Sequence, residues 1–210
     1  ICATHAGITV GEDGASHQTF EDLSLMREIP GMTVLCPADA VSARKLLEAA
    51  VDFDGPAYIR LGRSGVPVLY SDEQAEKIQI GKATQLREGS DVTVIATGIL
   101  VADAMAAAET LAEEGISARV LDMHTIKPID AEAIIKAAQE TGAIVTAEEH
   151  SVIGGLGSAV AEVVVQNAPC RIEMVGQKDT FGESGKPAEL LEKYGMTASD
   201  IVDAVKKVLK

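Results

Sequence analysis

Two histidines, an aspartate and three glycines fall between His5 and Gln18, in the run Thr4-His5-Ala6-Gly7-Ile8-Thr9-Val10-Gly11-Glu12-Asp13-Gly14-Ala15-Ser16-His17-Gln18. A neutral imidazole donates one hydrogen bond and accepts another, which suits polarising a carbonyl or a hydroxyl. A carboxylate such as Asp13 accepts hydrogen bonds from hydroxyls, although alone it would as readily close an Asx-turn. His5 and His17 alone would as readily be polar residues at the ends of secondary-structure elements. Further along, Arg60 and Arg63 concentrate positive charge in a chain of net charge −14. A guanidinium offers a planar fork that matches the oxygens of an anionic group, whereas a lone surface arginine is simply solvated.

These residues need a scaffold. Residues 1–5 read as the end of a short buried strand, and Gln18 to Ile29 as a helix with Phe20, Leu23 and Met26 at helical spacing. The Gly-rich connection between them would leave the carboxyl end of a strand, the usual rim of a ligand crevice in an α/β sheet. His17, just ahead of the helix, would sit at its N-terminus, where the dipole disfavours imidazolium. Met32–Cys36 and Pro56–Leu61 read as buried strands. Between them Asp39 caps a helix whose apolar stripe is Ala43, Leu46, Leu47, Ala50 and Val51. Alternating strands and helices with short connections imply right-handed crossovers and a parallel sheet. Residues 1–68 hold only part of such a sheet, and the polar run at 69–79 reads as an exposed linker.

From residue 80 to 210 a second domain alternates more strictly. A hairpin is expected from Ile80 through Arg87-Glu88-Gly89-Ser90-Asp91 into Val92–Ala96. There follow a helix ending at Gly115, a strand 118–123, a helix 130–141 and a strand 143–147. Then come Gly154-Gly155-Leu156-Gly157, a helix 156–167, a strand 171–175 and two closing helices, five strands in all. The Gly-rich turn opening a helix could bind an anion through backbone N–H groups, but close packing is the favoured reading. His124 and His150, at strand ends, are expected to be structural.

Hydrophobic residues make up 47% of the chain and aromatic ones only 3%, which suits aliphatic cores between helices and parallel strands. The acidic balance argues against nucleic acid and anionic membranes as partners. Cys2, Cys36 and Cys170 have no paired spacing, as in reduced thiols of a cytoplasmic protein. No apolar run approaches the roughly 18 residues of a membrane span. The chain begins at Ile1 within an apparent strand, as a truncated or processed chain would.

THAGITVGEDGASHQ, with REIPGMTVLCPAD (27–39) and IRLGRSGVP (59–67), resembles the second half of the pyrimidine-binding domain of transketolase. MHTIKPID (123–130), EEHSVIGGLGSAVAE (148–162) and GQKDTFGESG (176–185) resemble that family's C-terminal domain. The likeness covers essentially the whole chain and is closest to short or two-subunit transketolases. Deoxyxylulose-phosphate synthase and 2-oxoacid dehydrogenase β subunits are similar in plan, and a non-catalytic assembly or small-molecule-binding module is the alternative. The resemblance implies ketol transfer between sugar phosphates with thiamine diphosphate and Mg²⁺ or Ca²⁺. It implies that His17 lies beside the reactive carbon of the cofactor-bound substrate, that His5 and Arg63 hold the substrate phosphate, and that Asp13 accepts from substrate hydroxyls. Ala6 departs from the aspartate that many transketolases carry there, which bears on substrate preference. The glutamate that activates the cofactor and the GDG-type metal motif have no counterpart in this sequence. No metal ligands are therefore assigned, and a partner segment or subunit carrying the diphosphate-binding domain is implied, as is a homodimer. The chain alone is expected to be inactive.

Overall fold

The computed structural model describes residues 1–210 and contains two sheets. The first is built from β1 (Cys2–Ala3), β2 (Thr33–Leu35) and β3 (Ala57–Arg60), in the parallel order β1-β3-β2. Helices α1 (Asp22–Glu28) and α2 (Ala40–Val51) connect them. Strand β1 is last in the order of this sheet, with Cys2 exposed and Ala3 half-buried within this chain. Asp39 caps α2 through a reciprocal box with Ser42. The expected α2 stripe is only partly used: Leu46 is fully buried, while Leu47 and Val51 lie exposed.

A fourth strand joins this sheet from far along the chain. β7 (Thr125–Lys127) lies antiparallel to β2, with Val34 opposite Lys127 and Leu35 opposite Thr125. The first sheet is thus completed by residues well beyond the expected domain boundary.

The second sheet has the five strands expected: β4 (Thr84–Arg87), β5 (Val92–Ala96), β6 (Ala118–Asp122), β8 (Ala143–Ser151) and β9 (Arg171–Gln177). Its order is β4-β6-β5-β8-β9, parallel except for β4. The expected hairpin does not form, because β6 lies between β4 and β5. All five residues of β5 are buried, which demands a neighbour on both sides, whereas β4 is half-exposed and suits an edge. The 88–91 loop crosses the start of β6, where Ser90 and Asp91 donate backbone N–H groups to the Ser117 carbonyl and Gly89 packs against the Ala118–Arg119 peptide. Helices α4 (Leu100–Glu113), α5 (Ala131–Thr141), α6 (Leu156–Asn167) and α8 (Ala198–Val208) cover the sheet, and α7 (Pro187–Lys193) packs away from it against residues 8–13. None is long and apolar enough to cross a membrane.

The stretch expected as an exposed linker is fastened down. It holds a short helix α3 (Asp72–Ala75) capped by Ser71, and Tyr70, Ala75 and Ile78 are buried. Asp39 accepts the backbone N–H groups of Leu69 and Tyr70 at 2.8 and 3.0 Å. The Tyr70 hydroxyl donates to Asp122 at 2.6 Å, at the end of β6. Thr97 donates to the carbonyls of both Cys36 and Met123. Both hydrophobic clusters draw residues from each sheet, so burial binds the two halves into one core.

Burial pushes the Asp122 carboxyl up to about 7, against the hydrogen bond from Tyr70. The folded state therefore keeps a proton that the unfolded chain releases near pH 4, and stability from this group falls as pH rises between those values. Asp122→Asn stays neutral and keeps an acceptor for Tyr70. Urea unfolding between about pH 5 and 6.5 should show wild-type stability falling more steeply than that of the variant, by about 1.4 kcal/mol per pH unit.

Candidate functional site

The run that carries His5, Asp13 and His17 folds as a closed loop on the first sheet. His5 adopts a left-handed φ of 64°, which turns the chain sharply out of β1. Two residues on, the Gly7 N–H donates to the Thr19 carbonyl at 3.0 Å and joins the two ends of the loop. Between them lies a 3-10 turn, Ile8–Asp13, interrupted at Gly11, with Ile8, Thr9 and Val10 buried. Gln18 fills the loop from inside: its Nε2 donates to the carbonyls of Ile8, Gly11 and Glu183 at 3.2, 3.3 and 2.9 Å. Glu183 belongs to the Gly-rich segment after β9, which lies under the loop, and α7 packs against the turn.

Arg63, just after β3, closes over this turn. Its Nη1 donates to the Val10 carbonyl and, at 3.3 Å, to Asp13 Oδ2, with Glu12 Oε2 at 3.8 Å. Its Nε and Nη2 make no bond within the chain and its side chain is 38% exposed. Ser64 donates to the Thr9 carbonyl at 3.4 Å. Asp13 and Arg63 are therefore brought together, a pairing the sequence had not singled out. His5 precedes the Gly7–Thr19 bond and His17 lies within the loop it closes, and both are exposed. Each meets only a neighbouring hydroxyl through Nδ1, Thr4 at 2.9 Å and Ser16 at 3.0 Å. Neither bonds to Asp13 or Arg63. The expected helix N-terminus at His17 is absent: α1 begins at Asp22, and the His17 N–H is spent in a turn to the Gly14 carbonyl. A cleft of about 320 Å³ opens beside Arg63, lined by Leu61, Gly62, Ser64, Gly65, Val66 and Ile99 among others.

Residues 1–68 match the transketolase pyrimidine-binding domain and residues 81–201 the transketolase C-terminal domain. The chain belongs to the transketolase family. It is 50% identical over 96% of its length to a 6-deoxy-6-sulfo-D-fructose transketolase subunit of Clostridium sp. (strain MSTE9), covering 62% of that protein. It is 41% identical over its whole length to one of the subunits of the apulose-4-phosphate transketolase of Phocaeicola vulgatus, covering 67% of it. A solved split-gene transketolase, described as an inactive β4 tetramer, superimposes over the whole chain with a TM-score of 0.93 and 55% identity, and the chain covers 66% of it. The chain thus spans about two thirds of the length of these transketolases.

In this transketolase-family chain Arg60 has a different task from Arg63. It is 4% exposed and faces inward, with Nε donating to Asp22 Oδ2 at 2.9 Å and Nη2 to the Glu149 carbonyl at 2.8 Å. Tyr58 donates to the same Asp22 oxygen at 2.7 Å. Burial opposes the guanidinium charge, but Asp22, Cys36 and Glu149 around it more than offset this, and its pKa is raised. The expected role for Arg60 in concentrating charge for an anionic substrate is therefore wrong. It is enclosed instead by Asp22 at the start of α1, Tyr58 on its own strand and Glu149 on β8.

β8 runs four residues beyond its expected end, through Glu148, Glu149 and His150, because all three are buried and partnered. Glu148 accepts the N–H groups of Leu156 and Gly157 at 2.6 and 2.8 Å. The anion at the GGLG turn is thus the chain's own carboxylate, and it packs so closely on Gly155 that a Cβ there would lie 2.0 Å from Oε2. Burial still pushes Glu148 up to about 7. His150 accepts the Leu23 N–H at Nε2 (3.1 Å) and donates from Nδ1 to the Ser151 carbonyl (2.8 Å), and burial with Arg60 nearby lowers it to about 4. His124 is fully buried and lowered likewise by burial. Both are structural, as expected.

Gln18, Asp22 and Glu149 were not anticipated as parts of the site. The available signal was EEH following an unbroken apolar strand, where charge without solvent demands a partner. No three His, Cys, Asp or Glu side chains converge where they could hold a metal ion. Only His17, whose Nδ1 meets Ser16, is matched to the cofactor in the transketolase resemblance.

The division between the two arginines is measurable. Arg60→Met leaves Asp22 and Glu149 buried without their counter-charge and should cost about 3–5 kcal/mol in denaturant unfolding. Arg63→Ala removes a half-exposed ion pair and one hydrogen bond to the Val10 carbonyl, and should cost less, about 1–2 kcal/mol.

Proposed function

We propose that the chain is the substrate-side, C-terminal component of a transketolase that transfers a two-carbon ketol unit between sugars bearing an anionic end group, with sugar phosphates as the principal class. The observation that carries this reading is the state of Arg63. One of its nitrogens is anchored to the turn while Nε and Nη2 remain open on the rim, so a two-pronged hydrogen bond to a tetrahedral anion costs no internal bond. Asp13, anchored to Arg63 through Oδ2, keeps Oδ1 for a sugar hydroxyl. His5 flanks the anion end. His17, with its Nε2 open, donates to or accepts from the oxygen next to the reacting carbon. Glu12 and Asp13 offset the charge of Arg63, so directional hydrogen bonds, more than net charge, select the ligand. The names of the relatives support an anion-ended sugar: one is a sulfo-sugar transketolase subunit, the other an apulose-4-phosphate one.

Thiamine diphosphate, with Mg²⁺ or Ca²⁺, would supply the carbanion chemistry of ketol transfer. Its diphosphate is assigned to a partner segment or subunit, in keeping with relatives that are themselves subunits of split enzymes. The complete enzyme is then an assembly, with a homodimer as its simplest form.

In that complete enzyme, Arg63→Ala loses a charge-assisted hydrogen bond of roughly 1.5–3 kcal/mol. That corresponds to about a 10- to 150-fold higher KM for phosphorylated ketoses. Sugars without the anionic group should change little, and equal losses on both would remove Arg63 from the anion site. Calorimetric titration of the 210-residue chain with thiamine diphosphate and Mg²⁺ should give no micromolar binding until the partner is added. A single hydrogen bond through His17 contributes about 1 kcal/mol, too little to offset immobilising the cofactor. Micromolar binding by the chain alone would overturn the division of the site.

A further inference from the structure

Glu149 lies on β8, in the C-terminal half of the chain, yet its carboxylate ends beneath the loop that carries Asp13. It is 3% exposed, and its Oε1 accepts the Thr9 N–H at 2.7 Å. Arg60 secures it from the other side, donating to the Glu149 carbonyl with Nη1 3.9 Å from Oε2. The approach of carboxylate to backbone leaves room for nothing else. A Cβ on Gly7 would lie 2.2–2.5 Å from the Glu149 carboxyl atoms, and Gly7 itself has a left-handed φ of 86°. From the outer face the same turn is held by Ser64 at the Thr9 carbonyl and by Arg63 at the Val10 carbonyl. The Thr9–Val10 backbone is thus gripped between a buried carboxylate and the guanidinium of the rim.

We propose that Glu149 is a positioning residue for anion recognition: through Thr9 it fixes the turn Ile8–Asp13, and so the register in which Asp13 and Arg63 face substrate. This rests on the reading of Arg63 and Asp13 given above. Without the carboxylate, the Thr9 N–H is buried with no partner, and an unpaired buried donor drives local opening. Asp13 is four residues further along the same turn. Glu149→Gln keeps an acceptor of the same reach, whereas Glu149→Ala does not.

The test combines hydrogen exchange on the full chain with kinetics of the enzyme assembled with its partner. Glu149→Ala is expected to speed amide exchange across residues 8–13 by about tenfold or more while β5 keeps its protection, and Glu149→Gln to stay within about threefold of wild type. In the assembled enzyme Glu149→Ala should raise KM for a phosphorylated ketose about tenfold with kcat within about threefold, and Glu149→Gln should recover most of it. Unchanged exchange at 8–13 overturns the proposal. So does equal loss of protection in β5, and so does a loosened turn with unaltered KM. If the wild-type assembled enzyme transfers no ketol unit at all, the functional reading fails by itself, and the exchange comparison alone decides whether Glu149 holds the turn.

Discussion

A guanidinium sealed inside a protein is tolerated only where its hydrogen bonds and its charge are both answered, and Arg60 meets that condition by drawing three segments together. Asp22 comes from the start of α1, the Glu149 carbonyl and carboxylate come from β8, and Tyr58 shares the Asp22 oxygen from Arg60's own strand. None of these groups could be left behind without stranding a buried charge. The neighbouring contacts follow the same line: His150 caps the Leu23 N–H, Glu149 takes the Thr9 N–H, and Glu148 binds the start of α6. The rim on which Arg63 and Asp13 meet is therefore the outer surface of a polar network that begins in the interior. Oδ1 of Asp22 and Oε2 of Glu149 lack hydrogen bonds, so the network is tightly packed and not fully satisfied.

Much of the architecture could be read from local pattern. The Asp39 cap of α2, the stop of α4 near Gly115 and the helix expected over 130–141 rest on short-range signals, and each element formed where its signal lay. Pairing order was a different matter. Nothing in Arg87-Glu88-Gly89-Ser90-Asp91 reveals that β6 will come between β4 and β5, because the deciding quantity is two-sided burial of β5. The polar composition of 71–77 hid the anchoring role of Tyr70, whose partner Asp122 lies 52 residues away.

Of the residues that pattern and family likeness singled out, Asp13 and Arg63 meet, whereas His5 and His17 bond to neither. The roles of Arg60 and Arg63 were not separable, since three residues apart they are chemically identical until the packing of β3 turns one inward. His17 was expected at a helix N-terminus because its apolar spacing placed the start at Gln18, whereas the helix begins four residues later, at Asp22. Glu149 was invisible for a related reason. A charged residue at a strand end normally signals solvent, and only the three-dimensional placement of Thr9 and Arg60 makes it interior.

The antiparallel strand β7 carries a consequence for how such chains can be recombined. Because Thr125–Lys127 pair with the sheet that carries Arg63 and Asp13 at its rim, and Lys127 also donates to the carbonyls of Arg27 and Ile29, the two matched domains are not interchangeable cassettes. A chimera joined in the 69–79 segment would pair β2 with a foreign edge strand and set a foreign side chain opposite Tyr70. Compatibility between parents would then depend on a handful of positions around 122–127 more than on overall identity, and a graft that carried those residues along with the first sheet would keep its seam intact.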